Sequence, residues 1–212
     1  MKSTRKPIIF ISSTVYGIEE LLERIYTLLT NFGYEVWLSH TGTVPVFSNK
    51  SAFDNCITAV KKCDLFLGLI TPYYGSGIDE HDDVSITHKE LRLALELKKP
   101  RWLLSHDHVV FARSFLDKLG YRTASERKKL TLTKSPIFGD LRVIDMYEEA
   151  VLSDTPLRER QGNWVQKYKS TEDALVFTTA QFSRFQEVEA FIKENLSNPD
   201  MFVKPSKGKG AK

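Results

Sequence analysis

Ile8-Ile9-Phe10-Ile11-Ser12-Ser13-Thr14 is an apolar run that passes directly into three hydroxyls. Short, continuously apolar segments of this kind form parallel strands buried on both faces. About eighty residues on, Ser85-Ile86-Thr87-His88-Lys89-Glu90-Leu91 reads as a polar helix start that delivers one carboxylate. In an open α/β sheet, strand ends and helix starts share one edge, and ligands bind along it. The hydroxyls and the carboxylate are therefore expected to face a common crevice, with a nucleoside or nucleotide as its occupant.

The segments between these two alternate in type. The first strand, Pro7 to Ser12, is followed by Val15, Ile18, Leu22, Ile25, Leu29 and Phe32 at helical steps of three and four. Ser13 or Thr14 is placed to cap that helix and Gly33 to stop it. Tyr34 to Leu38 is a second strand. Ser51 then caps a helix with Phe53, Ile57 and Val60 inward, and Asp64 to Ile70 is a third strand. The segment Thr71 to Val84 is long and polar, and a connection of that length is usually functional or mobile. A helix from Thr87 to Leu97 with Leu91, Ala94 and Leu95 inward, a strand from Pro100 to Ser105 and a helix from Val109 to Leu119 complete four strand–helix repeats. This pattern predicts an α/β, three-layer parallel sheet with helices on both faces.

Beyond Gly120 the pattern weakens. Residues 121–140 form a basic insertion or mobile loop containing Arg127, Lys128 and Lys129, set apart from the α/β core of residues 1–120. Residues 141–198 are expected to form a mostly helical extension, with a helix over Val143 to Leu152 and a polar loop over Arg158 to Asn163. Helix-start signals stand at Ser170 with Asp173 and at Ser183 with Gln186, and Phe185, Val188, Phe191 and Ile192 form an apolar face. Residues 199–212 are a lysine-rich tail expected to be disordered.

Composition narrows the function classes. The chain has 212 residues, 42% of them hydrophobic and 27% charged, as in ordinary globular domains. Four lysines, Lys204, Lys207, Lys209 and Lys212, lie in the tail; taking them from the net charge of +3 leaves −1. That balance does not point to nucleic acid. No apolar run is long enough to span a bilayer or to serve as a signal peptide. Cys56 and Cys63 read as reduced thiols of a cytoplasmic protein.

Metal ligation is not assigned from spacing. His106-x-His108 with Asp107 lacks a further ligand at a recognisable distance in sequence. Asp79, Glu80, His81, Asp82 and Asp83 lack the alternating ligands and central glycine of a calcium loop.

Phe10-Ile11-Ser12-Ser13-Thr14, Tyr16, the strand from Asp64, Tyr74-Gly75-Ser76 and Ser85-Ile86-Thr87 through Glu90-Leu91 follow one another in an order that resembles domain-of-unknown-function family 4062. That family is similar to TIR domains and to nucleoside 2-deoxyribosyltransferases. The resemblance covers roughly residues 7 to 105 and, more loosely, the remainder. It implies a flavodoxin-like, TIR-like fold. In both better-understood relatives a glutamate on the helix after strand three serves N-glycosidic bond chemistry, and Glu90 occupies the matching place.

Each site residue has two readings. Glu90 is either a carboxylate beside a ribose carbon or the last member of a capping box begun at Thr87. Ser12 and Ser13 bond a ribose or phosphate, or cap a helix. Tyr16 shapes the pocket. Tyr73 and Tyr74 stack on a base, or pack; Gly75 permits close approach. His88 donates a proton, or faces solvent. The expected activity is an N-glycosyl hydrolase or transferase acting on NAD or another nucleotide, with no metal or dissociable cofactor, and a role in bacterial defence or stress signalling. The alternatives are an interaction module that self-associates, with the loop His40 to Asn49 in the contact, and a nucleotide sensor without turnover.

Overall fold

The structure, a computed structural model, describes residues 5–75, 77–79, 83–133, 135, 137–160, 163–184, 187, 188, 190 and 194. Five strands form one wholly parallel sheet: β1 (Ile8–Ser13), β2 (Glu35–Leu38), β3 (Leu65–Ile70), β6 (Arg101–His106) and β7 (Asn163–Tyr168). A two-residue pair, β4 (Ile78–Asp79) and β5 (Val84–Ser85), folds back antiparallel within the long connection after β3. The helices are α1 (Glu19–Asn31), α2 (Ala52–Lys62), α3 (Ile86–Glu96), α4 (Asp107–Lys118), α5 (Ala124–Arg127), α6 (Arg142–Ala150) and α7 (Thr171–Phe182).

The strand order β2-β1-β3-β6-β7 is the 2-1-3-4-5 order of a flavodoxin-like sheet, which changes direction between β1 and β3. Alternation along the strands divides the core into two layers. Ile9, Ile11, Leu65, Leu67 and Leu104 pack under α1 and α7, against Leu22, Ile25, Leu29, Ala174 and Phe177. Ile8, Phe10, Phe66, Ile70 and Leu103 pack under α2, α3 and α6, against Val60, Leu91, Ala94, Val143 and Ile144. By the same alternation Ser12 continues the second face and Ser13 the first.

The expected helical extension instead supplies the fifth strand. β7 pairs with β6 from Arg101↔Asn163 to His106↔Tyr168, so the polar loop expected over Arg158 to Asn163 runs into a sheet edge. The strand, Asn-Trp-Val-Gln-Lys-Tyr, mixes polar residues among apolar ones and its Trp164 is exposed, so it lacks the apolar continuity that marks a central strand. α7 begins where Ser170 accepts the amide of Asp173, as its sequence indicates. Val188 joins the core, whereas Phe185, Gln186, Phe191, Ile192 and the tail lie outside the described residues.

Local expectations fail where tertiary contacts override spacing. Neither Ser13 nor Thr14 caps α1; the helix starts five residues later, with Ile18 at the cap position and no side-chain bond, while Gly33 takes φ 98° just after its end. Ser51 does cap α2, but Asn55, Ala59 and Val60 are its buried residues, and Phe53 and Ile57 are half-buried. The turn is set by Asn55, which holds the preceding loop through Phe47 N and the Ser51 carbonyl. Within the basic segment, Thr123 and Glu126 form a capping box. Arg127 is not a surface cation: its guanidinium is 3% exposed and paired with Asp145 and Glu148, while Lys128 and Lys129 are exposed.

Candidate functional site at the sheet switch point

The carboxyl ends of β1 and β3 diverge beneath a crevice of about 700 Å³. Ser13, Thr14, Val15 and Tyr16 line it from the turn after β1, Tyr73, Tyr74 and Gly75 from the connection after β3, and Ile86 and Thr87 from the start of α3. Ser39, after β2, and Glu19, at the start of α1, complete that side, and Gly139 and Asp140 enter from the segment before α6. Five of the eight residues expected at the site thus share one cavity.

Each reaches it for a local reason. The non-helical turn over residues 14–18 replaces the expected cap and carries Tyr16 outward, 64% exposed, edge-on to Tyr73 with ring centroids 5.1 Å apart. Gly75 takes φ 97°, and a Cβ there would stand 3.3 Å from the Thr14 hydroxyl oxygen. Only glycine adopts that backbone at little cost while letting the two loops touch.

Ser12 and Glu90 sit below the crevice, not in its lining. Ser12 Oγ donates to Glu90 Oε2 at 2.5 Å, and both residues are buried, at 2% and 5% exposure. The Cys56 thiol on α2 bonds the same carboxylate. The capping-box reading of Glu90 fails, because α3 begins two residues earlier than its spacing indicates. Ser85 is the N-cap, accepting the His88 amide, and Glu90 lies past the first turn. Thr87, one turn before Glu90 on the same helix, lines the cavity where Glu90 does not.

Burial pushes the Glu90 carboxyl up to about 7, with the bonds from Ser12 and Cys56 opposing that rise. Glu90 therefore changes charge near neutral pH, unlike an exposed glutamate. Burial, reinforced by Glu90, pushes the Cys56 thiol up to about 12, which keeps it a neutral donor.

His88 is neither solvent-facing nor aimed into the crevice; it is 1% exposed. Its Nδ1 is 2.8 Å from the Tyr74 hydroxyl, and its Nε2 is 3.1 Å from Glu149 Oε2 on α6. Since Tyr74 Oη also accepts the Ser85 amide at 3.3 Å, its proton is free to go to His88. Arg92 donates to both Glu149 oxygens. Burial tends to raise the Glu149 carboxyl, but Arg92 and His88 outweigh it and hold it down at about 2. This chain anchors the post-β3 connection to α3 and α6. Arg142 adds a clamp, with its guanidinium 4.8 Å from the Tyr74 ring centroid and bonded to Asp140 and the Asp83 carbonyl.

The crevice lining offers hydroxyls, tyrosine rings and two carboxylates, Glu19 and Asp140, and none of its described residues is cationic. Glu19, Ser39, Gly139 and Asp140 carry no signal in the sequence that marks them as site residues. Gly139 and Asp140 lie more than sixty residues from the other loops, and only the fold brings them in. Glu80, His81 and Asp82 of the acidic connection lie outside the described residues. No described helix is long and apolar enough to cross a membrane.

No curated protein matches the chain. A family model described as "Domain of unknown function (DUF4062)" matches residues 8–150, which takes in β1 through α6 but not β7 and α7. The chain belongs to that family of domains of unknown function.

Proposed function

We propose that the crevice binds the nucleoside part of a nucleotide or nucleoside, and that the protein cleaves or transfers its N-glycosidic bond with Glu90 as the carboxyl at the ribose. The observation that carries this reading is the Ser12–Glu90 pair, 2.5 Å apart under a 700 Å³ crevice at the sheet's switch point. The lining fits a nucleoside better than a polyphosphate. Tyrosine rings are suited to a base, carboxylates and hydroxyls to ribose hydroxyls, and no lining cation meets a phosphate. The resemblance of the sequence motifs to TIR domains and nucleoside 2-deoxyribosyltransferases implies the same chemistry and a role in bacterial defence or stress signalling, and the flavodoxin-like strand order is compatible with it.

In the reaction, the bond between the ribose carbon and the base nitrogen breaks, and its electron pair leaves with the base. The ionised form of Glu90 offsets the positive charge left on the sugar, and water or an acceptor hydroxyl then bonds to that carbon. The proton released by the nucleophile ends on the departed base of a neutral nucleoside, and in solvent where the glycosyl nitrogen starts out cationic, as in NAD, and its base leaves neutral. Ser12 steadies the carboxylate through its hydrogen bond. For contact with ribose, Thr87 and the Tyr73–Gly75 connection must shift to uncover Glu90.

The 5% exposure of Glu90 favours a second reading, a sensor that binds the nucleoside and does not cleave it. Incubation of concentrated protein with NAD, NADP and a panel of nucleosides, followed by chromatography of released base, separates the two. Base release lost in Glu90→Ala is the expected result. Absence of release with any of these substrates, alongside measurable binding, establishes the sensor.

A further inference from the structure

The second concentration of chemistry on the sheet's carboxyl edge is at the other end, where β6 and β7 finish side by side. His106 ends β6, Asp107 and His108 open α4, and one ligand atom from each lies within 4.8 Å of the others. Asp107 Oδ1 stands 3.1 Å from His106 Nδ1 and 4.0 Å from His108 Nε2. Ligand atoms at about 2.0–2.1 Å around tetrahedral zinc are roughly 3.3 Å apart, so small side-chain rotations close these three around one ion.

Two further observations point to a cation. His106 Nδ1 accepts the His108 amide at 3.2 Å and so has no proton to give the neighbouring carboxylate. Asp107 Oδ1 is left buried without a hydrogen-bond partner, facing a nitrogen lone pair. The Tyr168 hydroxyl is likewise buried without a hydrogen-bond partner, in a residue 3% exposed. Register places Tyr168 beside His106 across β6 and β7, and their rings meet edge-on with centroids 5.2 Å apart. Two unsatisfied buried oxygens around a pair of imidazoles are costly unless a charge completes them.

We propose that His106, Asp107 and His108 bind a zinc-like divalent cation, with the Tyr168 hydroxyl as fourth ligand or as partner of a metal-bound water. The ion takes over the Nδ1 lone pair from the long cap bond. Two imidazoles select a borderline transition metal over magnesium or calcium. The site opens to a cavity of about 440 Å³ lined by His106, Tyr168 and the start of α1. Glu19 lines both this cavity and the switch-point crevice, so the ion is a neighbour of that crevice. The proposal stands independently of the glycosidic reading.

The test uses the full chain without a histidine tag, stripped of metal. Zn²⁺ is titrated against a chromophoric chelator, and Co²⁺ is followed by its visible absorption. One equivalent of Zn²⁺, Co²⁺ bands of low-symmetry coordination, and affinity roughly tenfold or more weaker in Asp107→Asn and His108→Ala are expected. His108 is exposed, so its variant keeps the fold, which circular dichroism checks. Failure of the wild type to bind one equivalent, or equal binding by both variants, overturns the site. An unchanged affinity in Tyr168→Phe removes Tyr168 from it.

Discussion

Ser13 opens onto a crevice of about 700 Å³, whereas Ser12, one residue earlier on the same strand, is 2% exposed and bonded to a buried carboxyl. The crevice half is built from loops, hydroxyls and a tyrosine pair of which Tyr16 is exposed and Tyr73 half-buried, on the pattern of a surface that receives a ligand. The lower half, Ser12 with Glu90 and Cys56, is built from strand and helix interiors on the pattern of a core. A single peptide step along β1 divides the crevice wall from the buried Ser12–Glu90 pair. The consequence is that the chemistry proposed for the crevice would depend on a carboxyl whose charge and exposure are both governed by the packing beneath it.

The sharpest way to break this contrast is to remove the charge of Glu90 while keeping its shape. Because its carboxyl is raised from 4.5 to about 7, the folded protein binds more protons than the unfolded chain between those values. Its contribution to stability is thus full below pH 4.5, falls as pH rises through 7, and is flat above. Between pH 4 and pH 8 the wild type is expected to lose on the order of 3 kcal/mol relative to Glu90→Gln, measured by urea unfolding at each pH. Parallel curves for the two proteins would place Glu90 in an ordinary solvated setting.

Ser12→Ala is expected to have a smaller effect, about 1.5 kcal/mol above pH 7, where the lost hydroxyl leaves an ionised carboxylate less satisfied. The same variant raises the Glu90 midpoint further, since the Ser12 bond is one of the two that lower it. A stability loss that is equal at pH 4 and pH 8 would show that the bond does not discriminate between charge states. Least affected is the crevice wall. Tyr16→Ala, at a residue 64% exposed, is expected to change stability by no more than about 0.5 kcal/mol while weakening nucleoside binding. Unfolding on the scale of Glu90 variants would make Tyr16 part of the core.

The parts of this molecule that follow from local pattern were legible in its sequence. The apolar runs at Ile8 and Leu65 and the helical spacing from Val15 to Phe32 indicate a parallel sheet with covering helices, and the structure has one. Ser51 and Ser170 mark real helix starts because each is followed by its helix directly. Where a residue serves two neighbours, spacing misleads. Thr87-His88-Lys89-Glu90 has capping-box form, yet Ser85 takes the cap and frees Glu90 to reach Ser12. β7 escaped notice because an edge strand needs no continuous apolar run. His106, Asp107 and His108 offered only three ligands in sequence; Tyr168 joins them only through the pairing of β6 with β7. Asp140 reaches the crevice by the same kind of long-range folding.

The two halves of the site are joined only if a ligand above changes the carboxyl below. Isotope-edited carboxyl titration of Glu90, with and without saturating nucleoside, measures this directly, with Glu90→Gln identifying the resonance. The account predicts a midpoint near 7 in the free protein and a clear displacement when the crevice is filled. A midpoint near 4.5, unmoved by any nucleoside that binds, would contradict it.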